Sequence, residues 1–371
     1  MTKARQLADL GNAYDDGALS NRNLIINGAM QVAQRGTSVS SVSSGYNTVD
    51  RWAISFDGDN DNLVLNMEQS SDAPDGFNNS LKLTVATPET TVATDEQASV
   101  QYRVEAQDLQ GLAFGTSSAK SFTLSFYVKS SVTGDFAVNS HNIDASRLIT
   151  ETFTINSANT WEKKTITFAG DSSGSFNDDT GLGLQLSIFL MAGPEREGTS
   201  ADTWIAYNKD ALATGINNAF CTTSGATFQI TGVQLEVGDT ATPFEHRSYG
   251  DELAKCQRYY QHTYSTGSAV GTASHDNMIG SGGTQSYSTA GEVSGGTYTF
   301  KVEMRAVPSV TFYDHQGNSA RCSRLNAGVA WYGNSNVGVS ISTTTSSVKP
   351  LSPNGSTATG MYCHIVADAE L

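Results

Sequence analysis

The sequence of 371 residues has little positive charge, few cysteines and no long hydrophobic run. Lysine and arginine together number 22, against 37 aspartates and glutamates, so the formal net charge is −15 at pH 7. An acidic chain without a basic cluster is repelled by nucleic acid and anionic lipid, so we expect neither as a partner. The sequence opens without a cationic, apolar leader, and its apolar stretches are too short to cross a bilayer. We therefore expect synthesis in a cytoplasm and no membrane insertion.

Cysteine and histidine are too scattered to suggest a metal site. The four cysteines, Cys221, Cys256, Cys322 and Cys363, form no C-x-x-C pair. The six histidines also lack the regular spacing of metal ligands. We expect the cysteines to be small buried hydrophobes or free thiols rather than disulfides.

Apolar and polar residues alternate along most of the chain, which is typical of strands with one buried face. Clear examples are Leu63, Leu65 and Met67; Phe122, Leu124, Phe126 and Val128; Leu182, Leu184, Leu186, Ile188 and Leu190; and Tyr298, Phe300, Val302 and Met304. Clusters of Gly, Ser, Asn and Asp separate these runs, as in antiparallel sheets. We predict an all-β protein with a jelly-roll β-sandwich at residues 23–247 and a smaller β domain at 264–371.

Two short segments have helical spacing instead. Residues 1–22 can begin with a helix on which Leu7 and Leu10 share a face. A helix this short needs a partner, so we interpret the segment as an attachment peptide, with a disordered start as the alternative. Residues 248–263 form a predicted linker helix that Asp251 can cap.

Several segments, taken in order, resemble phage tail-fibre and receptor-binding proteins. They are NLIINGAMQVAQR (23–35), the DRW run at 50–52, ITGVQLEVGDTATPFEHRSYGDELAKCQRYYQ (230–261), MRAVPSVTF (304–312) and the final DAEL. The resemblance covers nearly the whole chain. It implies a location in the virion, a homotrimer, a phage tail or baseplate partner for the N-terminus, and a host cell-surface glycan as target.

Threefold symmetry would let one face of the linker helix, formed by Leu253, Cys256 and Tyr260, pack around the trimer axis. The alternative is that this face packs on its own domain.

The candidate glycan-binding residues lie in the C-terminal domain. Sugar sites combine aromatic ring faces with amide or charged groups that bind hydroxyls. The residues that fit this chemistry are Trp331, Tyr332, Tyr313, His315, Arg321 and Arg324. Trp331 could instead be a core or trimer-interface residue. In the jelly roll, Trp52, Trp161 and Trp204 could also bind sugar, although strand tryptophans are more often core.

Three alternating aspartates, Asp57, Asp59 and Asp61, could begin a calcium loop, because Ca²⁺ needs several hard oxygen ligands. The distal glutamate of an EF-hand is missing, so an ordinary turn is the alternative. We expect no other cofactor.

Signals for catalysis are weak. Glu195 and Glu197 are close in sequence, but nothing indicates a facing carboxylate pair of the glycosidase type. Ser172 lies in a G-x-S-x-G run without the helix that a nucleophile elbow needs. The expected function is therefore non-enzymatic adhesion of a tail fibre to host polysaccharide. The alternatives are an architectural tail, baseplate or head-appendage protein without host contact, and a capsule-degrading depolymerase.

Overall fold

The computed structural model describes residues 3, 5, 22–58, 62–199, 202–265, 267–282, 293–294, 296–326, 330–333, 340–352 and 358–371. Within these residues the protein is all-β, with two short α-helices, Ala219–Thr222 (α1) and Tyr249–Gln257 (α2). In this part of the chain, neither helix is long and apolar enough to span a membrane. Most of the predicted attachment peptide at residues 1–22, including Leu7 and Leu10, lies outside the described residues.

Thirteen strands of the described chain form two antiparallel sheets that enclose one core. In chain order they are Ser38–Val39 (β1), Gly45–Tyr46 (β2), Trp52–Asp57 (β3), Val64–Ser70 (β4), Ser80–Thr87 (β5), Gln97–Glu105 (β6), Phe122–Ser130 (β7), Gly134–Asn142 (β8), Arg147–Ile155 (β9), Glu162–Phe168 (β10), Leu182–Ala192 (β11), Ile205–Ala206 (β12) and Thr227–Val237 (β13). The six-stranded sheet has the order β1-β4-β5-β13-β7-β10, and the seven-stranded sheet β12-β9-β8-β11-β6-β3-β2. The predicted jelly-roll sandwich is thus the architecture observed.

The sandwich core follows from the alternation in the sequence. Strand residues spaced by two enter the core from both sheets, among them Leu65, Met67, Phe122, Leu124, Phe126, Val128, Leu184, Leu186, Ile188 and Leu190. From Leu186 to Ala192, strand β11 is buried on both faces, because a long connection covers its outer side there. There Phe189 and Ala192 pack with Leu212 and Ile216 in a second, small cluster.

Helix α2 leads from the sandwich to the C-terminal strands. The hydroxyl of Ser248 caps it by accepting a hydrogen bond from the Asp251 backbone N–H at 3.2 Å, so Asp251 is not the cap. The helix ends at Gln257, well before the predicted end of the linker at 263. Tyr260–His262 is a strand instead, because it pairs along the last strand of the chain.

The remaining described strands form two smaller sheets. They are Tyr260–His262 (β14), Ile279–Gly282 (β15), Val293–Ser294 (β16), Tyr298–Thr299 (β17), Ser309–Tyr313 (β18), Ser323–Asn326 (β19), Ala330–Gly333 (β20), Ser340–Thr343 (β21), Ser347–Ser352 (β22) and Ala358–Asp368 (β23). Strand β23 is central, because β14, β15, β18 and β19 all pair with it. Its buried residues Met361, Cys363 and Ile365 form a separate core with Phe300, Met304 and Phe312. All four cysteines are buried and free, as expected.

A network of buried charges joins the two cores. We call it the domain junction and define it by Arg35, Asp50, Arg51, Glu105, Arg258 and Glu370. Arg51 is 1% exposed, contacts the Glu370 carboxylate and donates a 2.6 Å hydrogen bond to the Arg103 carbonyl. Its guanidinium lies 3.5 Å from the centre of the Tyr259 ring. Charges this deeply buried need partners, so the junction fixes the C-terminal residues against the sandwich.

The junction also predicts a dependence of stability on pH. Burial raises the pKa of Asp50 to about 6, although Arg35 and Gln34 partly oppose this. A carboxyl with a raised folded-state pKa gives stability that is complete below its unfolded value of about 3.9 and lost as the pH rises to the folded value. We therefore expect the wild type to lose stability relative to Asp50→Asn between pH 4 and 6, by at most about 1.4 kcal/mol per pH unit.

Urea unfolding of both proteins at half-unit pH intervals measures this difference. A constant gap from pH 4 to 7 would show that Asp50 is ionised throughout, because Arg35 then outweighs burial.

Candidate functional site

The outer face of the seven-stranded sheet carries a row of polar side chains. Strand pairing places Arg103 opposite Gln185, and Gln185 opposite His141, on β6, β11 and β8. Their neighbours along each strand face the core, so alternation turns these three outward. All three are half-buried. We call Arg103, Gln185 and His141, with Tyr207 beside them, the His141 row.

Hydrogen bonds hold the row in one arrangement. Arg103 donates to the Gln185 side-chain oxygen at 3.2 Å and to the Gln101 side-chain oxygen at 3.0 Å. The Gln185 amide in turn donates to the Ser187 hydroxyl at 3.2 Å. Because Arg103 and Gln185 are each fixed by a neighbour, this part of the row is preorganised, and little ordering is lost when a ligand binds it.

Aromatic rings close one end of the row. The Tyr207 ring stacks on His141 with centroids 4.7 Å apart and an interplanar angle of 20°. Tyr207 is 46% exposed, which leaves ring surface open to a ligand. Burial lowers the pKa of His141 to about 4, so the imidazole is neutral at pH 7.

The connection after β11 forms a wall beside the row. The Thr150 hydroxyl donates to the Ala211 carbonyl at 2.7 Å, and the Asn139 amide donates to the Leu212 carbonyl at 3.3 Å. The side-chain oxygen of Asn139 is buried and has no hydrogen-bond partner among the described residues. A buried acceptor of this kind gains by receiving an N–H or O–H donor.

The chemistry of the row is that of binding. A guanidinium, an amide and a neutral imidazole hydrogen-bond hydroxyl groups, and an exposed ring packs against sugar C–H surface. In the described part of the chain, no three histidine, cysteine, aspartate or glutamate side chains lie together as metal ligands. Glu195 pairs with Lys209 on the surface at 3.1 Å.

Three of the predicted tip residues have described side chains. Tyr313 is half-buried, with its ring edge-on to Tyr264 at 6.1 Å. His315 stacks on His275 at 4.9 Å, and its Nδ1 lies 2.7 Å from the Ser323 hydroxyl. Arg321 is half-buried near the start of β19. The structure therefore places an aromatic and histidine cluster at this end of β18.

The other tip residues lie on the β19–β20 hairpin. In the register of this hairpin, Arg324 is opposite Tyr332 and Leu325 is opposite Trp331. The side chains of Arg324, Trp331 and Tyr332 lie outside the described part, so their role in glycan binding stays a prediction.

The predicted trimer-contact residues are only partly at the surface. Cys256 is fully buried, and Tyr260 lies under the Arg35 guanidinium at 3.7 Å from its ring centre. Their own chain covers both, which favours the alternative that this face packs on its own domain, and the contact with sister chains stays a prediction. Leu253 is half-buried on α2, so part of its side chain is accessible for a contact with another chain.

The predicted calcium loop is described only at its first aspartate. The Asp57 carboxylate receives a hydrogen bond from Arg196 at 3.2 Å and one from Gln97 at 3.4 Å. Asp59 and Asp61 lie outside the described residues. An arginine on Asp57 competes with a cation there, so calcium stays a weaker expectation.

The three tryptophans of the jelly roll differ in position. Trp52 is a core residue, and Trp204 packs against the core while donating to the Ala169 carbonyl at 2.7 Å. Trp161 is half-buried at the start of β10 and faces outward. The sequence prediction did not include His141 or Tyr207. Its only usable signal was the outward position of Arg103, Gln185 and His141 on alternating strands.

No model of a known protein family matches the chain, and no curated protein does. The enzymatically active domain of tailspike protein 4 of bacteriophage CBA120 is similar in structure, with 12% identity, a TM-score of 0.31 and 58% of this chain covered. The match covers 21% of that tailspike domain.

Two carbohydrate-binding modules are similar as well. The xylan-binding CBM22-1 domain of Paenibacillus barcinonensis Xyn10C has 14% identity and a TM-score of 0.26, with 57% of this chain and 100% of the module covered. The family 11 module of Clostridium thermocellum, bound to a mixed-linked tetrasaccharide, has 13% identity and a TM-score of 0.26, with 57% and 99% covered. At these scores the matches carry no argument about ligands.

Proposed function

We propose that this chain is a non-enzymatic structural protein of a phage virion, a tail fibre that binds host cell-surface polysaccharide for adsorption. It acts as a homotrimer, with the N-terminal residues attached to a phage tail or baseplate protein. The resemblance of several sequence segments to tail-fibre proteins supports the virion role. The glycan-binding role is supported by the surface of the sandwich.

The His141 row carries the glycan part of the proposal. It combines a preorganised Arg103–Gln185 pair with the exposed Tyr207 ring stacked on neutral His141. Hydroxyl-binding groups beside an open aromatic face suit a sugar better than a charged or wholly apolar ligand. Three copies in a trimer, repeated over several fibres, would convert weak single sites into strong attachment.

Removal of the aromatic platform tests the proposal. We expect the His141 row to bind at least tenfold more weakly in Tyr207→Ala, so that the variant loses about half of the wild-type signal on a printed array of neutral, N-acetylated and uronic-acid oligosaccharides. The variant loses ring contact worth about 1.4 kcal/mol or more, which corresponds to tenfold. The matched control is Tyr249→Ala, because Tyr249 is a similarly exposed tyrosine on α2 and is not in the row.

If Tyr207→Ala and the wild type give equal binding signals on the array, the His141 row is excluded as a glycan site. Absence of all binding by the wild type, together with tight binding to a purified virion protein, would favour the architectural alternative. Shortening of polysaccharide on incubation, followed by size-exclusion chromatography, would instead favour a depolymerase.

A further inference from the structure

We infer that the opposite face of the sandwich, on the six-stranded sheet, carries a second binding site that takes a neutral oligosaccharide. The inference extends the proposed glycan binding to residues that the His141 row does not include. Three strand pairings and one ring contact align its members across four strands and the residue that precedes a fifth. We call Glu68, Lys82, Gln229, Lys129 and Trp161 the Trp161 row.

The register of the strands builds this row. Glu68 on β4 is opposite Lys82 on β5, and Lys82 is opposite Gln229 on β13. Gln229 is opposite Lys129 on β7, and the Lys129 ammonium lies 5.1 Å from the centre of the Trp161 ring. With strands about 4.8 Å apart, the row crosses about 19 Å of sheet, which suits an extended chain more than a single sugar.

A half-buried aromatic residue and a buried amide give the row its binding groups. Trp161 donates from Nε1 to Asp72 at 3.3 Å, and the Gln229 amide donates to the same carboxylate at 3.2 Å. The Gln229 side chain is 4% exposed, and its oxygen has no partner among the described residues. That buried oxygen gains a partner if neighbouring side chains shift and let a hydroxyl or N–H of a ligand reach it.

A pocket continues the row toward the sheet edge. It has a volume of about 280 Å³ and is lined by Ser38, Val39, Ser40, Asn66, Met67, Glu68, Lys82 and Thr84. Because Glu68 and Lys82 belong to both, the pocket and the row form one surface. Its hydroxyl and amide groups provide both donors and acceptors, as a sugar requires.

The charges of this surface indicate the class of ligand. Lys82 forms an ion pair with Glu68 at 2.8 Å, and Lys129 forms one with Asp72. The hydrogen bond from Lys129 is the main reason that the pKa of Asp72 is lowered, and it outweighs the effect of burial. This carboxylate is therefore charged at pH 7. Each lysine is thus neutralised by its neighbour, and the surface offers no excess charge to an acidic sugar.

The array used for Tyr207 tests the second site with Trp161→Ala, Gln229→Leu and the double variant Trp161→Ala/Tyr207→Ala. We expect each single variant to lose at least half of the wild-type signal on the neutral and N-acetylated oligosaccharides, and the double variant to lose nearly all of it. Trp161→Phe should retain most of the signal, because it keeps a ring face. Unchanged urea midpoints show that the losses are not due to unfolding.

The two proposals fail separately. Full wild-type signal in both Trp161→Ala and Gln229→Leu would overturn the second site, whatever Tyr207→Ala does. Loss of signal in Trp161→Ala with none in Tyr207→Ala would retain the second site and reject the His141 row. Binding only to the uronic-acid oligosaccharides, or no binding to any oligosaccharide on the array, would overturn the inference of a neutral ligand.

Discussion

Arg51→Met should lower the free energy of unfolding by about 3–5 kcal/mol, the cost of removing one partner of a buried ion pair. Arg51 is fully enclosed between the sandwich and the C-terminal residues. It contacts the Glu370 carboxylate, the Arg103 carbonyl and the faces of two tyrosine rings. Methionine fills similar volume but leaves the carbonyl without its donor and removes one of the two arginines beside Glu370.

Urea unfolding followed by circular dichroism measures this effect. The control is Lys209→Met, which breaks the exposed pair of Lys209 with Glu195 and should cost about 0–1 kcal/mol. If the free energy of unfolding of Arg51→Met lies within about 1 kcal/mol of the wild-type value, desolvation of the buried charges offsets their attraction. The junction would then contribute geometry rather than stability.

Alternation in the sequence was enough to predict the sandwich, because period two follows directly from strand geometry. The alternation did not predict the length of a strand where the chain leaves its sheet early. Residues Tyr298 to Met304 alternate throughout, yet the described strand is only Tyr298–Thr299. The backbone N–H of Phe300 instead donates a hydrogen bond to the Ser346 carbonyl, and that of Met304 donates one to the Thr345 carbonyl. Both side chains still reach the core, so the pattern predicted burial but not the backbone path.

The segments that resemble tail-fibre proteins meet at one place in the structure. The first segment contains Asn27 and Arg35, the second contains Arg51, and the last contains Glu370. The Asn27 backbone N–H donates a hydrogen bond to the Glu252 carboxylate, and Arg35 lies 3.4 Å from Glu370. Residues from these segments therefore contribute to the contact between the sandwich and the C-terminal residues. No periodicity in the sequence could predict this junction, because Arg51 and Glu370 are 319 residues apart.

The candidate site could not be predicted in full from the sequence for a related reason. The aromatic residues chosen from the sequence were those next to glycine and asparagine in the C-terminal domain. The Tyr207–His141 stack depends instead on the connection after β11 returning over the sheet. Such long-range contacts are decided by the tertiary path, which local composition does not encode. The alternation did orient Arg103, Gln185 and His141 outward, so three of the four residues of the row could have been proposed from sequence.

Glu105 is the second position at which we expect a large effect. Its carboxylate is buried and accepts two hydrogen bonds from the Arg258 guanidinium, at 2.9 and 2.8 Å, and one from the Tyr259 hydroxyl. Glu105→Gln keeps the shape but removes the charge that holds these donors. We expect a loss of about 3 kcal/mol at pH 7, the lower end for a broken buried pair, because Arg258 is partly exposed and regains water.

The sign of the pH dependence separates this role from simple packing. Burial by itself would raise the pKa of Glu105, but Arg258 and Tyr259 outweigh it and hold the pKa below its usual range. A carboxyl with a lowered folded-state pKa gives stability that is complete above its unfolded value of about 4.3 and is lost as the pH falls through the folded value. The gap between the wild type and Glu105→Gln should therefore be constant from pH 6 to 8 and narrow below pH 4. Urea midpoints measured from pH 3 to 8 test this, with the surface variant Glu195→Gln as control. A gap that stays the same at pH 3 would mean that the carboxylate acts through its shape, and that the charge of Glu105 does not hold the two domains together.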